Sequence, residues 1–60
     1  MIKAIIIEDE AHARLTLKSK LEEYCPEVEL LGMADNPKEG RILIQDLKPE
    51  LVFLDIAMPG

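Results

Sequence analysis

Ile5-Ile6-Ile7 is the feature that most limits what this chain can become. Successive side chains of a strand point to opposite faces, so an unbroken β-branched run leaves no face for water. Such a strand belongs inside a sheet that is covered on both sides. Sheets of that kind are parallel, with helical crossovers doing the covering. The strand is expected over Ile2–Ile7, and it breaks at Glu8-Asp9-Glu10, three acids in succession.

A helical pattern follows over Ala11–Tyr24. Ala13, Leu17, Leu21 and Tyr24 recur at spacings of four, four and three, which stacks them on one inward face. Arg14, Lys18, Glu22 and Glu23 lie mainly away from that face. Asp9 or Glu10 is placed to cap or charge-stabilise the helix start. Leu15 is nearly opposite the inward stripe, as a lone surface leucine or a contact for something outside the chain. Cys25-Pro26 ends the helix, because the residue before proline is driven out of the α region.

Val28–Met33, reading VELLGM, is a second strand. Its single charge, Glu29, suits a place nearer the sheet edge. Asn36 is a good cap for a second helix, and Pro37 suits the first helical position. That helix runs Pro37–Leu47, with Gly40, Leu43, Ile44 and Leu47 inward and Ile42 off the stripe. Gly40 costs about 1 kcal/mol against alanine in mid-helix, a cost that close packing on the sheet would offset. Lys48-Pro49 ends the helix. Leu51–Leu54 is a third apolar strand that leads to Asp55.

The order strand, helix, strand, helix, strand implies parallel strands joined by right-handed crossovers. The expected sheet has three strands in the order 2-1-3. That order sets the carboxyl ends of strands one and three side by side, about 4.8 Å apart. In open α/β sheets this is the edge where ligands bind. Glu8, Asp9 and Asp55 would then share one rim. Like charges that close are costly unless protons or a cation compensate. Oxygen donors without nearby histidine or cysteine select a hard cation, Mg²⁺ over zinc. The backbone carbonyl of Ala57 can add another oxygen. A carboxylate beside such an ion can act as a nucleophile toward a phosphoryl group. The alternative is that Glu8, Asp9 and Glu10 only cap the helix or form a solvated loop. Asp55 has no helix start to serve.

Composition narrows the classes. The 60-residue chain is small for a domain, so its core is modest. A net charge of −5 argues against this segment holding a nucleic-acid backbone. The one cysteine, Cys25, cannot form an internal disulfide, which fits a reducing compartment. The apolar start is too short for a signal peptide or a membrane span, so a cytoplasmic location is expected.

IIIEDE at residues 5–10 and LVFLDIAMPG at 51–60, with KPEL between helix and strand, resemble the first half of a response-regulator receiver domain of bacterial two-component signalling. The resemblance covers the whole chain, as an N-terminal portion of a receiver over 1–60 with no second domain. ADNPKEG and DIAMPG look most like receivers of the LytTR-type regulators. The resemblance implies a truncated flavodoxin-like (CheY-like) fold. It makes Asp55 the phosphoacceptor for a sensor histidine kinase. It makes Glu8 and Asp9 the Mg²⁺-holding pair, Ala57 a carbonyl ligand, and Pro59 and Gly60 part of the pocket rim. Glu8 stands where many receivers have aspartate, a conservative departure.

In a full receiver a switch hydroxyl and a lysine come from later strands. Thr16 and Ser19 lie in the first helix and cannot stand in for the hydroxyl. Lys3, Lys18, Lys20, Lys38 and Lys48 have no reason to reach the pocket. The segment alone is therefore expected to be a poor phosphoacceptor. It is also expected to pair through its open edge, as a homodimer or with a complementary half-domain. A transcriptional parent with a separate DNA-binding domain is implied. A different class is a self-assembling interaction module whose acids are idle. A small hydrolase with an aspartyl nucleophile is a third class, but it lacks a visible general acid, and His12 is expected in solvent.

Overall fold

The structure is a computed structural model that describes residues 1–55. Its elements are β1 (Ile2–Glu8), α1 (Ala11–Tyr24), β2 (Val28–Ala34), α2 (Pro37–Leu47) and β3 (Leu51–Asp55). They form a three-stranded parallel sheet in the order β2-β1-β3. This is the truncated receiver-like α/β arrangement, with the strand order expected from topology. No helix among the described residues is long and apolar enough to cross a membrane.

β1 is the middle strand and is buried from Ala4 through Glu8. Ile5 and Ile6 are fully buried although their side chains point to opposite faces, so both faces are covered. Ile5 and Ile7 meet Ala34, with Leu31, Leu43 and Val52 packed around them, which makes this the α2 face. Ala4 and Ile6 point to the other face. α1 packs against β1 and β2, and its Leu21 is buried. The crossover from β1 to β2 and the one from β2 back across β1 to β3 run in opposite directions, and the right-handed rule then places their helices on opposite faces.

The ends of the elements follow from local chemistry. Asn36 adopts extended angles, and its side chain accepts the Glu39 amide at 2.9 Å, with Pro37 at the helix start. One of the otherwise unpaired amides of α2 is thereby satisfied. At its other end Lys48 takes a left-handed conformation (φ 50°, ψ 57°), and its amide returns to Ile44. The Glu50 amide then donates to the Lys3 carbonyl at 2.8 Å, which sets the register of β3.

Three side chains depart from the expected faces. Tyr24 is 72% exposed although it continues the inward stripe of α1. Helical spacing sets a direction, but burial needs something opposite, and no described element covers the last turn of α1. Ile44 and Leu47 are also exposed, near 40%, so the inward face of α2 is narrower than the four-residue stripe. Leu15 and Ile42 are exposed, as their positions implied.

Gly40 is buried against β1. A Cβ built there would stand 2.8 Å from Ile7 Cγ1 and 3.3 Å from Ile7 Cγ2. Ile7 is locked in the core, so little room is available for adjustment. Gly40→Ala would gain about 1 kcal/mol of helix propensity and lose about 1–3 kcal/mol to overpacking. The expected net result is a lower urea midpoint. A clear rise would show that the packing is softer than this. Asn36→Ala is expected to lower stability by about 1 kcal/mol through loss of the cap, read in the same titration.

Candidate functional site

The carboxyl ends of β1 and β3 meet at one rim. In the parallel ladder Glu8 is the register partner of Asp55, and Ile7 of Leu54. The two carboxylates thus project from paired positions. Glu8 is 6% exposed, because it ends the strand that both helices cover. Asp55 and Asp9 are exposed.

The β1–α1 junction is closed by hydrogen bonds. Glu8 Oε1 accepts the Glu10 amide at 3.2 Å. Arg14 Nη1 donates to the Glu8 backbone carbonyl at 2.9 Å. The Arg14 amide donates to the Glu10 carbonyl at 2.9 Å, opening the α1 ladder. Glu10 stands at the N-cap with no side-chain cap bond, so neither Asp9 nor Glu10 supplies the expected cap. Glu8 reaches forward instead, and only one of its oxygens is used. Glu8 Oε2 is buried without a hydrogen-bond partner among the described residues.

The three acids do not form a ready-made ligand cage. Among the described residues, no group of three or more histidine, cysteine, aspartate or glutamate side chains is arranged to hold a metal ion. Like charges on exposed side chains relax into water, and only Glu8 is confined. The donor chemistry still suits a hard cation, because the rim carries oxygen donors and one of them is buried and unsatisfied. Ala57, Pro59 and Gly60 lie outside the described residues.

His12 lines a shallow groove on the outer face of α1 with Leu15, Thr16, Ser19, Lys20 and Glu23, and none of the rim acids takes part. The residue that sequence reasoning missed is Arg14. Its signal was present: a long cation in the first turns of the helix, six residues beyond the strand end it must reach.

Burial raises the Glu8 carboxyl pKa above its ordinary value of 4.5. The neighbouring Asp9 and Asp55 add to the rise, and the Glu10 amide opposes it. Folded Glu8 therefore holds its proton to higher pH than unfolded Glu8. Its contribution to stability is fully present below about pH 4.5 and is lost as pH rises through the raised pKa. Glu8→Gln removes this loss. The variant should match the native chain in acid and exceed its stability at neutral pH, as measured by urea unfolding across pH. Parallel stability curves for the two proteins would contradict the assignment.

No family model matches the chain, and no solved structure matches it. Curated proteins do match. An uncharacterized response regulatory protein of Vibrio cholerae is 46% identical over 59 residues, which is 98% of this chain and 24% of that protein. Transcriptional regulatory protein BtsR of Escherichia coli is 41% identical over 59 residues, with the same coverage. Protein-glutamate methylesterase/protein-glutamine glutaminase 3 of Geobacter sulfurreducens is 45% identical over 58 residues, covering 97% of this chain and 15% of that protein. The chain thus spans a quarter or less of these relatives. Two of these names describe different outputs, yet all three proteins align with almost the whole of this chain, so the match reports a shared module rather than an output. On that evidence the chain is homologous to the CheY-like receiver domains of response regulators.

Proposed function

We propose that this chain is a phosphoacceptor module of two-component signalling, in which Asp55 takes a phosphoryl group from the phosphohistidine of a sensor kinase. The observation that carries the reading is the β1–β3 register, with Asp55 opposite Glu8 at the carboxyl ends of a parallel sheet. Glu8, Asp9, Asp55 and the Ala57 carbonyl would hold Mg²⁺. When bound, that ion offsets the charge of the carboxylates and of the phosphoryl oxygens. An Asp55 carboxylate oxygen forms a P–O bond as the P–N bond to the kinase imidazole breaks, and the electron pair stays with the imidazole nitrogen. Attack by water on the acyl phosphate later restores the carboxylate.

The parent output is read as transcriptional control through a separate DNA-binding domain. The relative named as a transcriptional regulatory protein supports this, as does the resemblance of ADNPKEG and DIAMPG to LytTR-type receivers. Such a module works in the cytoplasm beside its kinase. A second reading is an interaction module that pairs through the outer edge of β3 with another copy or a complementary half-domain. It draws support from Leu54, 65% exposed on that strand. Mg²⁺ binding near Asp55 separates the two readings.

The test is labelling of the 60-residue chain with a small radioactive acyl-phosphate donor. The expected result is slow, Mg²⁺-dependent uptake of a base-labile phosphoryl group that disappears in Asp55→Asn. Equal labelling of the variant, or no labelling of the native chain, would overturn the phosphoacceptor reading.

A further inference from the structure

We infer that Arg14 is a positioning residue for the acidic rim, holding the Glu8 carboxylate in place through the Glu8 main chain. Its use in function rests on the phosphoacceptor reading above. The tether itself is read from hydrogen bonds alone.

Arg14 lies one turn into α1, yet its Nη1 reaches back six residues to the Glu8 carbonyl at 2.9 Å, in partly buried surroundings. Glu8 is the last residue of β1, so this bond joins the helix to the strand end that bears the acid. With the Glu10 amide on Glu8 Oε1 and the Arg14 amide on the Glu10 carbonyl, three bonds close a small loop. Asp9 lies inside it. The loop fixes the Glu8 main chain and one carboxylate oxygen, and the second oxygen is left buried and unpartnered. A carboxylate held in that way cannot swing into water as Asp9 can.

The charge of Arg14 is not spent on an ion pair. Among the described residues the ion pair is Lys18 with Glu22, at 3.9 Å on the exposed part of the helix. A guanidinium has five donors in a rigid plane, and the carbonyl bond uses one of them. Arg14 therefore brings positive charge to a junction where Glu8, Asp9 and Glu10 follow one another. It touches neither Asp55 nor any other rim carboxylate among the described hydrogen bonds and ion pairs, so its action passes through Glu8. Groups that orient a ligating carboxylate matter almost as much as the ligand, and their loss weakens metal affinity about 10- to 100-fold.

The experiment compares the full chain with Arg14→Met and Arg14→Lys. Methionine keeps the apolar stem and removes the donors, whereas lysine restores a donor and the charge. The first readout is amide hydrogen exchange. In Arg14→Met, exchange at the Glu10 amide should rise about tenfold, the change expected when one hydrogen bond of a local unit is lost. Exchange at Ile6, set by global opening, should rise by no more than the same factor, because the bond is also lost on global unfolding, and Arg14→Lys should restore most of the protection. The second readout is a Mg²⁺ titration followed on the amides of Glu8, Asp9 and Glu10. Affinity should fall about 10- to 100-fold in Arg14→Met and recover in Arg14→Lys. Unchanged Glu10 exchange in Arg14→Met would overturn the inference. So would acceleration at Ile6 without a matching rise at Glu10, which would mark Arg14 as acting elsewhere in the fold. A native chain that ignores Mg²⁺ would overturn the metal reading of the rim, and the exchange data would still decide the role of Arg14.

Discussion

Everything in this small fold depends on removing both faces of β1 from water. Ala4, Ile5, Ile6 and Ile7 supply most of the buried apolar side chains among the described residues. A strand buried in this way must also satisfy its main chain on both edges, because an unpaired buried amide or carbonyl costs about as much as a lost hydrogen bond. β2 and β3 pair with it from either side, and α1 and α2 cover it from above and below. The rest of the molecule is what a doubly buried strand requires around it. Elsewhere the cover is thin, as exposed Tyr24, Leu54 and Ile44 show.

The same constraint produces the unusual group at the rim. β1 stays buried through its final residue, and that residue is an acid. Glu8 is carried out of water by the strand that ends on it, and desolvation disfavours its charged form. The Glu10 amide answers one oxygen and leaves the other unanswered. Its register partner across the sheet is another acid, Asp55. Two carboxylates at paired positions, one of them buried, form an arrangement that a proton or a cation would stabilise. Chemistry and fold therefore meet at Glu8, and the β1–α1 junction around it is tied more closely than a simple connecting turn.

Much of the fold was legible in the residues. Both helices run between the residues that spacing and proline implied, Ala11–Tyr24 and Pro37–Leu47, and Asn36 caps the second. These features arise within a few residues of one another, where local sterics and capping decide. The candidate site was only partly legible. The pairing of Glu8 with Asp55 followed from strand order, but the burial of Glu8 did not, because an acid beside two more acids reads as solvated. No side chain supplies the cap expected from Asp9 or Glu10; Glu8 instead reaches forward to the amide of the N-cap residue, Glu10. Arg14 read as an outward-facing cation, since helical periodicity gives the direction of a Cβ and not the destination of a long flexible side chain.

The sequence by itself determined the elements, their parallel association and the presence of acids at two strand ends. Periodicity, β-branching and turn residues act locally, and a run without a polar face admits few architectures. The tertiary structure decided which acid would be buried, which oxygen would lack a partner and which cation would hold the junction. Those outcomes depend on what lies opposite each side chain after the sheet forms. Opposition in space is set by register and by helix placement, and these are properties of the whole assembly rather than of any segment.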